Sequence, residues 1–332
     1  MRARLRDSIQ TSSRDELILE NAPTPAASIA SDTAIPLPAV NTICAIVVTY
    51  YPDSGFADRM ERVAKQVSQI VIVDNRSEGE SARRIQEVVQ RFGIHLILNA
   101  SNEGIAPALN AGVRWAESQG YRWVLTLDQD TLVEADMVSS LAQVFRSNPF
   151  PQQAAVIGSN SRDQFGKATS SDEPIESGGF RGKEMKTVLM SGSLVSVDAF
   201  TSIGGFREDF FMDCVDHEYC LRARSHGYRI LMTEKPVMEH CPGAPTQHRL
   251  LWKTIRTSNH SISRRYFLAR NSTILVREYS FVEPMWVLNY IWSYAKTLIL
   301  LCLFETQRVA KLKAFIRGCV DGAMGRTTIS VS

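Results

Sequence analysis

The chain lacks a Cys-x-x-Cys pair, and its six cysteines (Cys44, Cys214, Cys220, Cys241, Cys302, Cys319) follow no disulfide-framework spacing. That points to a reducing compartment. With 332 residues, 44% of them hydrophobic, the chain can bury a core without staples. No apolar h-region follows the basic start Met1–Arg6, so the expected location is cytoplasmic. No Gly-x-Gly-x-x-Gly follows the first strand-like run and no Walker loop is present, which excludes a dinucleotide site and a P-loop. Cys214, His217, Cys220, His240 and Cys241 fit no common zinc spacing. Charge of one sign is also missing, with a net of +2, although its distribution is uneven. From Pro245 onward thirteen Lys or Arg face four Asp or Glu, an excess of +9, which leaves −7 on the remainder. Without a recognition motif this does not imply nucleic acid; it implies an anionic surface or ligand near the C-terminus.

What is present starts after a polar, Pro-, Ala- and Ser-rich stretch over 1–42, expected to be a mobile leader. Ile43–Tyr50, Gln69–Val73, Ile94–Leu98 and Trp123–Leu127 are short apolar, β-prone runs of the kind buried on both faces of a sheet. Helical spacing fills the gaps, over 56–67, 82–92 and 105–119. This β-α alternation predicts a Rossmann-like, mostly parallel sheet flanked by helices. Further on, a helix over 134–146, a strand over 154–159, short strands or a hairpin over 186–190 and 193–197, a turn over 203–206, a helix over 214–226 and a strand over 228–232 are expected.

Three of the parallel runs end on polar tips, Thr49-Tyr50, Asp74-Asn75 and Asp128-Gln129-Asp130. In open α/β sheets ligands bind outside such carboxyl ends. Side chains at i and i+2 of an extended segment share a direction, so Asp128 and Asp130 present paired carboxylates suited to a divalent cation completed by phosphate oxygens. A strand end with two solvated acids is the plainer alternative. A second cluster, Asp213-Cys-Val-Asp216-His-Glu218, opens the helix over 214–226, where acids also complement the helix dipole. His240 ends a strand and is a plausible nitrogen ligand.

In this order, Val47-Val-Thr-Tyr50, Val73-Asp-Asn75, Asn102-Glu-Gly-Ile-Ala-Pro-Ala-Leu-Asn110, Leu127-Asp-Gln-Asp-Thr131, Gly204-Gly-Phe206 and Val215-Asp-His-Glu218 resemble the family 2 glycosyltransferases of GT-A fold. The blocks around 126–131 and 213–219 are most similar to bacterial rhamnosyltransferases, and the resemblance covers about residues 43–275. It implies an inverting, metal-dependent transfer from a nucleotide sugar, with dTDP-rhamnose as donor and a lipid-linked saccharide, lipopolysaccharide or other cell-surface glycan as acceptor. It also implies roles. Asp216 is the general base. Thr49, Tyr50, Asp74, Asn102, Gly104 and Asp128 line the donor, with Arg264 or Arg265, here Arg265, on its diphosphate. Asp128, Asp130 and His240 hold Mg²⁺ or Mn²⁺. Gly205, Phe206, Asp213 and Glu218 lie on the acceptor side. Met190, Phe210, Phe211 and Met212 are either an apolar wall for a sugar lacking its 6-hydroxyl or plain core. The Gln-x-x-Arg-Trp motif of processive synthases is missing, which favours addition of one or a few sugars.

Residues 276–332 form a separate basic and apolar helical segment in this reading. Pro284–Phe304 is about the length that spans a bilayer. Lys296 past its middle and Trp286, Tyr290, Trp292 and Tyr294 at one end suit a helix lying on the inner face of the membrane better, with Arg308, Lys311, Lys313 and Arg317 meeting anionic headgroups. A buried or dimer-forming helix is the alternative. Two other functions compete, an inactive sugar-nucleotide-binding scaffold on the membrane and a nucleotidyltransferase. The second would carry a basic, Gly-rich loop where Tyr51-Pro-Asp-Ser-Gly55 stands.

Overall fold

The run Ile43–Thr49 forms strand β1, buried along nearly its whole length. The computed structural model describes residues 37–162, 182–239, 246–250 and 253–327. Most of the 1–42 leader, most of the polar stretch after Arg162, and His240 with Cys241 lie outside the described residues.

Strands β2 (Gln69–Asp74) and β4 (Trp123–Asp128) flank β1, both parallel to it, and β3 (His95–Leu98) adds outside β2. Register sets the geometry that matters. Thr49 lies opposite Asp74, and Val48 lies opposite Asp128, so three polar strand ends finish level. Alternate residues of β1 feed two cores, as a pleated strand requires. Cys44 and Ile46 face α3 (Ile105–Ser118), whereas Ile43, Ala45 and Val47 face α1 (Phe56–Ala64) and α2 (Gly79–Phe92).

Beyond β4 come β5 (Leu132–Val133), α4 (Met137–Ser147), β6 (Ala154–Arg162), β7 (Lys183–Met185), β8 (Ser193–Ser196), α5 (Val197–Ile203), α6 (Val215–Ser225) and β9 (Arg229–Glu239). The sheet order is β3-β2-β1-β4-β8-β6-β9-β5, with β7 also on β9. β8 is antiparallel to both β4 and β6, whereas β6 and β9 run parallel to each other. The sheet is therefore mostly parallel, with β8 reversed at the centre and β5 and β7 reversed against β9 at one edge.

Two local expectations fail here. Residues 186–190 form no strand and no hairpin with β8. Val188 and Met190 are buried without sheet pairing: Val188 packs into the space at Gly158, and the Thr126 hydroxyl donates to the Met190 carbonyl at 2.5 Å. Gly192 makes the corner, at φ +80° and with its N–H on the Thr126 carbonyl at 2.7 Å. Val197, expected to end the strand over 193–197, instead opens α5, which Ser196 caps by accepting from the Ala199 N–H.

The C-terminal part holds a hairpin, β10 (Thr246–Leu250) with β11 (Lys253–Thr257), then α7 (Ile262–Tyr279), α8 (Pro284–Phe304) and α9 (Arg308–Ala323). α7 runs through position 275, where a domain boundary was expected. Its Ile274 and Leu275 share a core with Phe206 and Tyr219 of the preceding region and with Trp286 and Val287 of α8. Gly318 and Gly322 let α9 lie directly on α7: a Cβ at either would meet a backbone carbonyl, of Tyr266 or Arg270, at 2.4 Å. The α8–α9 corner is fixed by a buried ionic group. Glu305 accepts from Arg265 at 2.5 Å and from Lys311 at 2.9 Å. Lys311 was expected to face headgroups and is instead buried here, because its ammonium finds two oxygen partners inside the corner, Asn259 at 2.7 Å and Glu305 at 2.9 Å.

Replacing Glu305 by Ala strands two buried cations. A loss of about 3–5 kcal/mol in urea unfolding is expected, and a loss below about 1 kcal/mol would show that water reaches the corner.

Candidate active site

The level strand ends are tied to one another before any ligand is considered. Asp74 is 1% exposed and accepts from the Thr49 hydroxyl at 2.7 Å, the Ser77 hydroxyl at 2.6 Å and the Ser77 N–H at 2.7 Å. A carboxylate can accept about four hydrogen bonds, so its own chain uses most of its capacity. Beside it, Asn75 donates to the Gly104 carbonyl at 3.0 Å. Gly104 has φ +93°, and a Cβ there would lie 2.3 Å from the Phe211 carbonyl oxygen, which already accepts from the Ile105 N–H at 2.8 Å. Asn102 accepts from the Gly104 N–H at 3.1 Å. Asn102 and Gly104 thus set the start of α3 against the segment before α6.

On the other side, Gln129 grips Tyr50 in both directions. It accepts the Tyr50 N–H at 2.8 Å and donates to the Tyr50 carbonyl at 3.1 Å, while its own carbonyl accepts from Arg59 at 2.8 Å. This residue between the two acids carried no assignment in the sequence reading, yet it holds the turn that presents them. Asp128 is half-buried with its N–H on the Ser191 hydroxyl, and Asp130 is exposed. Two hard carboxylates at a strand end suit Mg²⁺ or Mn²⁺ with phosphate oxygens completing the sphere. Among the described residues no three His, Cys, Asp or Glu side chains converge into a complete metal cage, and His240 lies outside them.

The second pole is strained. Asp213 and Cys214 both have left-handed backbone, φ 61° and 64°, immediately before α6. Such conformations cost about 1–3 kcal/mol each for residues with side chains, and persist only where neighbours enforce them. α7 does so. Asn271 donates to the carbonyls of Met212 at 2.8 Å and Asp213 at 3.0 Å. Arg264 grips the Asp213 carboxylate in a fork, Nε at 3.0 Å and 3.1 Å and Nη2 at 2.8 Å. Burial works to lower the Arg264 guanidinium, but Asp213, with Asp128 and Asp216 also in electrostatic reach, outweighs it and holds the group above its ordinary value. Burial pushes the Asp213 carboxyl up, Arg264 pulls against that, and nearby Asp216 adds to the rise. Asp216 sits in the first turn of α6, half-buried, with one oxygen on the His217 N–H at 2.8 Å.

Several predicted residues are placed elsewhere. Arg265 is 2% exposed and committed to Glu305, not to the cleft. Successive helix residues differ by about 100°, so Arg264 and Arg265 cannot face one site together. The Ser261 cap of α7 turns Arg264 towards Asp213. Phe206 is a core residue against Tyr219 and Phe200, with its peptide clamped by Asn110 at 2.7 Å and 2.8 Å. Glu218 is 3% exposed and paired with Arg222, which also donates to the Gly205 carbonyl at 2.6 Å. Gly205, Phe206 and Glu218, expected beside the acceptor, thus build the wall behind α6. Phe210 is fully buried core, and Phe211 packs on Phe267 of α7.

The family model described as glycosyl transferase family 2 matches residues 44–210. The chain is 25% identical over 298 residues to the dTDP-rhamnosyl transferase RfbF of Shigella flexneri, covering 86% of this chain and 97% of that one. Residues 1–349 of TarS from S. aureus superpose with a TM-score of 0.55 at 13% identity, over 86% and 82% of the two chains. The mannosyltransferase PcManGT of Pyrobaculum calidifontis, solved with GDP-Man and Mn²⁺, gives 0.50 at 15% identity over 89% and 90%.

Asn271→Ala removes both bonds to the strained corner and leaves two carbonyls without their donor. We expect a stability loss of about 2–3 kcal/mol in urea unfolding, and a loss under about 0.5 kcal/mol would mean that the corner needs no enforcement from α7.

Proposed function

Since the chain belongs to glycosyl transferase family 2 and is a glycosyltransferase of GT-A fold, we propose that it transfers L-rhamnose from dTDP-rhamnose to a glycan or glycolipid acceptor, with inversion and in one step. Support for the sugar comes from the similarity to a dTDP-rhamnosyl transferase along nearly the full length of both chains. The observation that carries the mechanism is the position of Arg264, which faces Asp213 while Asp128 and Asp216 lie within electrostatic reach. One cation therefore connects the diphosphate end of the cleft to the base at the start of α6.

Each group has a task in this reading. Asp216 accepts the proton of the acceptor hydroxyl as that oxygen bonds to the anomeric carbon. The bond from that carbon to the diphosphate breaks at the same time, and its electron pair leaves on the phosphate oxygen. Arg264 offsets the negative charge that gathers there. Asp128 and Asp130, with His240 from outside the described residues, would hold Mg²⁺ or Mn²⁺, which when bound supplies Lewis-acid neutralisation of the leaving diphosphate. Thr49 and Tyr50 line the base and ribose, Asp74 meets the base, and Asn102 and Gly104 border the diphosphate.

The acceptor class follows from α8. Met285, Leu288, Ile291, Trp292, Ile299 and Leu303 are all exposed along it. By length and composition the helix could cross a membrane. Lys296, lying 5.2 Å over the Trp292 ring, and the exposed Arg308, Lys313 and Arg317 beside it suit a helix lying on an anionic surface instead. A lipid-linked saccharide or lipopolysaccharide at the inner face of the cytoplasmic membrane is the acceptor this surface fits.

The first experiment is release of nucleoside diphosphate from a panel of sugar nucleotides with and without Mg²⁺ or Mn²⁺, together with donor binding. Asp216→Asn is expected to keep donor affinity within about twofold and to lower transfer by a factor of at least about 10², while Asp130→Ala loses metal-dependent donor binding. Donor binding without turnover in the wild type, even with acceptor, would instead favour an inactive scaffold. For the membrane, the protein is expected to float with phosphatidylglycerol vesicles at low salt and not with neutral ones, and Leu288→Glu/Trp292→Glu to stay in the pellet. Flotation unchanged by the double variant excludes α8 as the docking surface.

A further inference from the structure

The inner side of α8 reaches the strained corner. Trp286, Tyr290 and Tyr294 lie one turn apart on one stripe, with ring centroids 4.7 Å and 6.1 Å apart and planes within 16° of parallel. Phe315 of α9 continues the stack at 5.5 Å. At the other end the ladder meets the site. The Tyr290 hydroxyl is 3.3 Å from the Cys214 Sγ and 2.8 Å from the Ser272 hydroxyl, and Ser272 lies 3.6 Å from the same sulfur. His217, next to Asp216 in the chain, sits edge-on to both Trp286 and Tyr290 at 5.5 Å.

Cys214 is itself one of the two left-handed residues and precedes the first residue of α6, its carbonyl accepting from the Glu218 N–H at 2.9 Å. Burial pushes its thiol up to about 12, so it stays protonated and serves as a weak donor and acceptor, not as a nucleophile. Cys214, two residues before Asp216, and His217, directly after it, are therefore both seated on α8: Cys214 through a hydroxyl–thiol contact, His217 through two rings.

We propose that Tyr290 is a positioning residue for Asp216, acting through Cys214 and His217 to hold the left-handed corner from which α6 begins. The inference rests on the assignment of Asp216 as general base, but its structural half stands independently. It also gives the apolar C-terminal helix a part in the reaction, because the helix with the exposed outer face is the one that sets the angle of α6 within.

The test uses the full chain with Tyr290→Phe, which keeps the ring stack and removes the hydroxyl, and Ser272→Ala, which removes that hydroxyl's second partner. Two quantities are read: backbone hydrogen exchange over residues 213–218, and kcat with the donor KM. For Tyr290→Phe we expect exchange faster by about tenfold, kcat lower by about tenfold, which is the scale of one hydrogen bond, and donor KM within about twofold of wild type. Ser272→Ala moves both in the same direction by less. A role in stability alone would lower Tm and leave kcat per folded molecule unchanged. That result, or exchange at the wild-type rate in both variants, overturns the proposal. If the wild type turns over no sugar nucleotide, the assignment of Asp216 fails by itself, and the exchange measurement still decides whether Tyr290 holds the corner.

Discussion

Arg264 forks onto Asp213, with Asp128 and Asp216 in electrostatic reach. Three carboxylates around one cleft repel by about 1 kcal/mol per pair in water at 4 Å and by several times that in a partly buried site. The guanidinium on Asp213 offsets part of that cost, and its fork fixes Asp213 in direction as well as in charge. The placement depends in turn on the start of α7, where the Ser261 hydroxyl accepts from the Arg264 N–H and fixes which residue of the Arg-Arg pair faces inward. The cleft is thus assembled from two ends of the chain. The parallel sheet supplies Asp128, and a helix beyond residue 260 supplies the cation that pairs with Asp213 just before α6.

Register does the equivalent work on the sheet. The pairing of Thr49 with Asp74 and of Val48 with Asp128 brings polar tips level across three strands. A slip of one residue would turn each tip to the opposite face. The reversed strand β8 then closes the side of the sheet next to Asp128, and Ser191, just before it, joins the Asp128 N–H to the Thr131 hydroxyl. The turn bearing the acids is consequently held from one side by Gln129 on Tyr50 and from the other by Ser191.

Much of this was legible from residue order. The parallel strands announced themselves as apolar runs, because a strand buried on both faces has no polar alternation to hide it. The limits of α8 agreed with the apolar stretch Pro284–Phe304, because Pro284 can start a helix and Glu305 must leave an apolar one. What failed to show depended on partners distant in sequence. Residues 186–190 have β-prone composition, but composition reports burial, and burial was met by packing on Gly158 instead of by pairing. Lys311, expected to meet headgroups, closes a buried ion pair with Glu305, which Arg265 of α7 joins; Glu218, expected beside the acceptor, pairs with Arg222 one helical turn on, and the local pattern does not contain the Ile203 and Gly205 carbonyls to which that arginine is tied. Gln129 gave no signal because a glutamine between two acids is noticed only when the Tyr50 backbone lies opposite it.

α8 shows how one helix can be apolar almost all round without contradiction. A helix surrounded by hydrophobic residues is either buried or in contact with something besides water. Here Trp286, Val287 and Leu301 are buried against the body of the protein, and the opposite side keeps Leu288, Trp292 and Leu303 exposed. The aromatic stripe of Trp286, Tyr290 and Tyr294 divides the two, with ring bodies packed on one another and the Tyr290 hydroxyl turned to the polar corner at Cys214 and Ser272. Tyrosine is the side chain that meets both demands, an apolar body for the stack and a hydroxyl for the corner. The inner face of the same helix is thereby set against Cys214, through the Tyr290 hydroxyl, and against His217, through the Trp286 and Tyr290 rings, so that it packs on the start of α6 while its outer face stays exposed.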